Sequence, residues 1–99
     1  MTEIGQLCQQ AEAYIQAHAD VITKVDEERA FALRSAVHTC QSGKVGDIMN
    51  VIAQHLETFN VAEQLSKAFQ VMIATLVIGK HKDLDMVIQA MFCALRNSS

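Results

Sequence analysis

The segment GKVGDIM at residues 43–49 returns in related form as GKHKDLD at residues 79–85, and each copy lies between two apolar runs. Aligned 36 positions apart, residues 27–56 and 63–92 share eight identical positions. The identical pairs are Glu27/Glu63, Ala32/Ala68, Thr39/Thr75, Gly43/Gly79, Lys44/Lys80, Asp47/Asp83, Val51/Val87 and Ile52/Ile88. Because any two amphipathic helix pairs share apolar spacing, an internal repeat and a coincidence both stay open. The pattern predicts a helix-turn-helix unit present twice.

The composition is rich in apolar residues for so short a chain. Of 99 residues, 51% are hydrophobic and 19% are charged, against roughly 25% charged in an ordinary soluble domain. A chain of this length forms one domain with a thin core. The surplus of apolar surface therefore predicts a protein partner or a homodimer.

Charge and cysteine usage restrict the classes of partner and compartment. The net charge is -3 and the eight basic residues are scattered, which makes nucleic acid an unlikely partner. The three cysteines are widely spaced and no signal-peptide pattern precedes the first helix, so we expect a cytoplasmic protein. The longest apolar run, residues 68–78, is shorter than the about 20 residues of a membrane span, so no membrane insertion is expected.

An N-terminal helix is predicted over residues 1–25. Apolar or amphipathic residues recur there at spacings of three and four, the pattern of one helical face. They are Ile4, Leu7, Cys8, Ala11, Tyr14, Ile15, His18, Val21, Ile22 and Val25.

Two antiparallel helix hairpins follow, at residues 26–59 and 60–96. In the first, Gly43 supplies the left-handed conformation that often ends a helix, and Asp47 caps the next helix. In the second, Asn60 and Glu63 approximate a capping box.

The second hairpin turns at Gly79, and Asp83 begins its second helix. Its apolar residues 71–78 are also compatible with a buried strand, but the sequence has no second strand candidate to pair with it. Without proline or a linker, the chain is predicted to be one all-α domain of five helices, either repeat-like or a compact bundle.

The two hairpins resemble degenerate tetratricopeptide repeats. Ala32, Ala36 and Ala68 match the small positions of that family's first helix, but Met72 does not. The sequence also departs from the family in its spacing, which is 36 residues instead of about 34, and in lacking the Trp and Pro of the family's pattern. The layout is also similar to that of the small chaperones that hold needle subunits of type III secretion systems. The resemblance implies a module, chaperone or adaptor that shields an amphipathic helix of a partner.

In the same register, the resemblance implies a concave partner-binding groove lined by six apolar residues. These are Leu33, Val37, Cys40, Phe69, Ile73 and Leu76. The alternative is that the six are simply core residues between helices.

No constellation of residues indicates catalysis. HExxH, P-loop, GxGxxG and CxxC motifs are absent, and we expect neither an enzyme nor a bound cofactor. His38 and Cys40 are two residues apart on a helix and point to different faces, so no metal site is expected there.

A dimeric transcriptional regulator is the alternative function, with the turn at Gly43 acting as a helix-turn-helix that binds DNA. Residues 47–60 contain no Lys or Arg, although a recognition helix normally carries several.

The last helix carries a second apolar stripe beside its main one, formed by Met86, Ala90 and Cys93. A helix that is apolar on several faces is expected to be buried on several faces. Because this helix lies at the chain end, we expect another chain to cover the stripe, with Cys93 the most accessible thiol.

Overall fold

Five α-helices form the part of the chain that the computed structural model describes, residues 3–40 and 43–98. They are α1 (Glu3–His18), α2 (Lys24–His38), α3 (Val45–Leu56), α4 (Glu63–Ile78) and α5 (Leu84–Ser98). The prediction of an all-α fold is confirmed, and residues 71–78 are helical rather than extended.

The predicted N-terminal helix is too long at its C-terminal end. α1 ends at His18, and Thr23 begins a new helix as the N-cap of α2. The backbone N–H of Thr23 donates to Asp26 Oδ2 at 2.9 Å, and the backbone N–H of Asp26 donates to Thr23 Oγ1 at 3.4 Å. This reciprocal capping box satisfies two backbone donors at the helix start, which is why the chain turns here although the apolar spacing continues through Val25.

The starts of α3 and α4 also differ from the prediction. α3 begins at Val45 after Lys44, so Asp47 stands in its first turn rather than at its cap. The capping box predicted at Asn60 is wrong, because α4 begins at Glu63 after Ala62, whose side chain makes no capping hydrogen bond. Acidic residues nevertheless occupy both first turns, where the helix dipole favours negative charge.

The two turn glycines have different conformations. Gly43 has a φ of +65°, as expected for a left-handed residue between helices. Gly79 is the C-cap of α4 with a φ of −76°, and the left-handed residue of that turn is Lys80, with a φ of 51°. The matching sequences GK at 43–44 and 79–80 therefore turn the chain in different ways.

The helices pack as a bundle in which contacts between distant elements dominate. α1 packs most extensively against α4, and α2 against α5; α3 packs on α4, and α1 also contacts α5. The sequential pairs α2–α3 and α4–α5 share smaller contacts. Since Glu3 and Glu63, both in first turns, line the same groove, α1 and α4 run in the same direction.

The core lies where α4 and α5 meet the other three helices. Tyr14 packs edge-on against Phe69, with ring centroids 5.7 Å apart, and joins α1 to α4. The largest fully buried apolar side chains are Phe69, Phe92, Leu33, Ile52, Ile73, Ile88 and Met91. Although α5 lies at the chain end, it contacts three helices and buries every residue from Met91 to Leu95.

Candidate functional site

The six residues of the implied partner-binding groove do not line one open surface. Leu33, Val37, Phe69 and Ile73 are buried in the core, and Cys40 and Leu76 are half-buried. α2 packs chiefly on α5, and α4 chiefly on α1 and α3, so these two helices do not form the walls of a shared groove. Of the six, Leu76 is the one that lines one of the surface grooves described below.

The three residues predicted at an oligomer interface have different environments. Met86 is 63% exposed, Ala90 is half-buried, and Cys93 is completely buried. The Cys93 thiol donates to the carbonyl oxygen of Val21 at 3.0 Å. The prediction that Cys93 is the most accessible thiol is wrong, because the loop between α1 and α2 covers it.

An apolar groove lies between α1, α4 and α5, and we call it the methionine groove. It has a volume of about 310 Å³, at the lower end of the range for binding pockets. Met72 is buried and Met86 is exposed, and Glu12, Gln16 and His81 supply its polar atoms. Its lining residues are Glu12, Ile15, Gln16, Met72, Leu76, His81, Met86, Val87 and Ala90.

The turn between α4 and α5 builds one end of the methionine groove. The backbone N–H of His81 donates to the carbonyl oxygen of Leu76 at 3.0 Å, and the backbone N–H of Asp83 donates to His81 Nδ1 at 3.2 Å. These bonds hold the imidazole beside the start of α5, in the groove that Met86 also lines.

A second and larger groove lies between the first turns of α1 and α4 and the end of α3; we call it the acidic groove. Its volume is about 870 Å³. Three glutamates and one lysine line it together with an apolar surface from Leu7, Leu56, Phe59 and Val61. The charged lining residues are Glu3, Glu57, Glu63 and Lys67.

The two grooves lie on different faces of the α1–α4 pair. On α1, Glu3 and Leu7 line the acidic groove, and Glu12, Ile15 and Gln16 line the methionine groove. At 3.6 residues per turn these two sets occupy separate sides of the helix. A ligand in one groove therefore leaves the other open.

An ion pair between the buried carboxylate of Asp26 and the partly exposed guanidinium group of Arg96 holds the loop of residues 19–23 against α5. Arg96 Nη2 lies 3.1 Å from Asp26 Oδ2 and also donates to the carbonyl oxygen of Val21 at 2.8 Å. Burial of Asp26 disfavours its charged form, but hydrogen bonds from Arg96 and Thr23 outweigh burial and hold the pKa of the carboxyl group below its ordinary value. The same pairing raises the pKa of Arg96.

The environments of the cysteines and histidines bear on whether these side chains could react or bind a metal ion. Burial, together with the charge of Glu12, raises the pKa of the Cys8 thiol and so makes it less nucleophilic at neutral pH. Across the described residues, no three His, Cys, Asp or Glu side chains converge in a geometry that holds a metal ion.

Comparisons of the chain with protein-family models, with curated proteins and with solved structures find no match. None of the described helices combines the length and the apolar character that crossing a bilayer requires.

Proposed function

We propose that the chain is a small helical protein-interaction module that holds the apolar face of a partner helix in the methionine groove. The observation that carries the proposal is the exposed side chain of Met86 beside a groove lined mainly by apolar groups. Methionine side chains adapt to irregular surfaces because they are unbranched and polarisable. Such surfaces suit the apolar positions of an amphipathic helix.

The groove is small enough to define what enters it. A volume of about 310 Å³ accepts one or two apolar side chains rather than a whole helix. The partner helix accordingly lies across the groove and inserts anchors spaced three or four residues apart. Glu12, Gln16 and His81 can bond polar groups of the partner beside those anchors.

The test uses an uncharged amphipathic peptide with leucine on one helical face and glutamine and serine on the other. Titration is followed in two-dimensional NMR spectra of the full chain. We expect shifts at Ile15, Leu76 and Ala90, and about tenfold weaker binding by the Met86→Lys variant, because a charge replaces an apolar contact.

The matched control is Val45→Lys, which places the same charge at another exposed apolar residue, at the start of α3. This variant should bind the peptide as the natural chain does. Equal affinity of the Met86→Lys variant, or shifts confined to other surfaces, would remove the methionine groove as the binding site.

A further inference from the structure

We propose that the acidic groove is a second docking site, for a basic amphipathic helix of a partner protein. This inference is independent of the methionine groove, because the two grooves lie on different faces of α1 and α4. Its volume of about 870 Å³ is near the upper end for binding pockets, which leaves room for several side chains of a docked helix.

The charges of the lining define the partner. Glu3, Glu57 and Glu63 are exposed, and Lys67 is the cation in the same lining. Among the described residues, the ion pairs within 4.0 Å join Arg34 to Asp85 and Arg96 to Asp26, so none of the described basic side chains pairs with these three carboxylates. Negative charge is therefore in excess in this groove, and lysine or arginine of a partner complements it.

Glu57 provides an additional argument. It is the C-cap of α3, where the helix dipole favours cations, so its carboxylate gains nothing from the helix that it ends. A partner cation at this position would be attracted both by the carboxylate and by the negative end of α3. Glu3 and Glu63, by contrast, are in the first turns of their helices and also have a stabilising role there.

The apolar residues of the groove determine the form of the partner. Leu7, Val61 and Phe59 are half-buried, and Leu56 is buried against the core. A ligand with cations alone would leave this surface uncovered. A helix that carries leucine-like residues on one face and lysine or arginine along its edges covers the apolar surface and pairs with the glutamates at the same time.

The experiment compares two synthetic peptides of equal length, one of leucine and lysine and one of leucine and glutamate, both with helical apolar spacing. Binding to the full chain is measured by fluorescence anisotropy at increasing salt, with NMR shifts to locate the site. We expect the lysine peptide to bind with shifts at Leu7, Phe59 and Gln70, and to weaken as salt rises. The glutamate peptide should not bind there.

The decisive variant carries Glu3→Gln, Glu57→Gln and Glu63→Gln. We expect its affinity for the lysine peptide to fall about tenfold or more, since three exposed ion pairs are lost. The matched control carries Asp20→Asn, Glu27→Gln and Glu28→Gln, which removes the same number of charges from exposed positions outside the groove. It should retain nearly the natural affinity.

Substitution of Lys67 should change the affinity for the lysine peptide in the opposite direction. Because its ammonium group repels a basic ligand, Lys67→Gln should strengthen binding of the lysine peptide, by about twofold. The Met86→Gln variant should bind this peptide as the natural chain does, which separates a failure of this proposal from a failure of the methionine groove.

Circular dichroism establishes that each variant is folded before binding is measured. If the groove variant and its control lose affinity equally, the attraction depends only on the net charge of the chain, and the proposal is overturned. Absence of binding by the lysine peptide at low salt would overturn it too, as would equal binding of the glutamate peptide.

Discussion

The guanidinium group of Arg96 lies 3.1 Å from the buried carboxylate of Asp26, which is 70 residues earlier in the chain. The pair joins the start of α2 to the end of α5 and, through Val21, secures the loop between α1 and α2. Asp26 also completes the capping box with Thr23. One side chain therefore serves both the local start of a helix and the long-range packing of the bundle.

The Asp26–Arg96 pair predicts a loss of stability in acid. Because the folded chain lowers the pKa of Asp26, its carboxylate contributes stability that is present above the unfolded pKa of about 3.9 and is lost as the pH falls through the lower, folded pKa. Urea unfolding followed by circular dichroism from neutral to acidic pH measures the free energy of unfolding. Its difference between the natural chain and Arg96→Gln should be largest at neutral pH and shrink in acid.

The control for this experiment is Arg34→Gln. Arg34 and Asp85 also form an ion pair, but at 3.9 Å and with both side chains partly exposed. Such a pair is worth about 0–1 kcal/mol, so this variant should differ little from the natural chain at any pH. If the effect of Arg96→Gln were independent of pH, the Asp26 carboxylate would not be its source.

The existence of five helices could be predicted from apolar spacing, but some of their ends could not. Val21, Ile22 and Val25 continue the spacing of α1, yet they lie beyond its end and remain exposed. The Thr23-x-x-Asp26 pattern is a local signal that could have located this boundary. No local sequence pattern identifies the partner of Arg96, because the packing of α2 on α5 brings Asp26 to it.

The candidate surfaces were less predictable than the helices. Spacing identifies an apolar face but not the neighbour that covers it, so Phe69 and Ile73 were expected at a groove and are buried in the core. Met86 and Ala90, expected at an interface, do line an open groove, whereas Cys93 from the same stripe is buried. The acidic groove joins residues of α1, α3 and α4 that lie far apart in sequence, and only the fold brings them together.

The two turns between helices should respond oppositely to substitution. Gly43→Ala forces a side chain into a left-handed conformation and should destabilise the chain by about 1–2 kcal/mol, although space is available for the added methyl group. In Lys80→Gly, glycine takes the same left-handed conformation without the steric cost of a side chain, so this variant should stabilise the chain by about 1 kcal/mol. Urea denaturation of both variants measures these changes.

Gly46→Ala is the reference for this pair. Gly46 lies inside α3 with a negative φ and open space around its Cα, so alanine should stabilise the chain by about 0.5–1 kcal/mol. Destabilisation by Lys80→Gly would mean that the Lys80 side chain contributes more than its backbone conformation costs.

The burial of Cys93 predicts a strongly protected thiol. Its sulfur lies under the loop of residues 19–23, within 3.6 Å of Arg96 Nη2 and of Asn97 Nδ2. Alkylation of the native chain with iodoacetamide, followed by mass spectrometry of its peptides, should modify Cys8 and Cys40 well before Cys93. In urea all three thiols should react alike. Early modification of Cys93 in the native chain would show that the loop opens readily from α5.

The exposure of Met86 predicts weak self-association of the isolated chain through the methionine groove. A symmetric contact buries this side chain twice, and each apolar side chain of this size contributes about 1.5–3 kcal/mol when fully buried. Because Cys93 is already covered within the chain, the open apolar stripe of α5 is reduced to Met86 and part of Ala90. Burying the two methionine side chains contributes at most about 3–6 kcal/mol before the entropic cost of association, which is too little for an obligate dimer, so we expect association in the millimolar range.

Light scattering over a concentration series tests that expectation. The mass of the natural chain should rise from the monomer value of 10.9 kDa as concentration increases, while Met86→Lys stays monomeric because the new ammonium group would be desolvated in the contact. Val45→Lys adds the same charge at an exposed apolar residue outside the groove and should associate like the natural chain. Identical masses for the natural chain and Met86→Lys would show that copies of the chain do not meet through this groove.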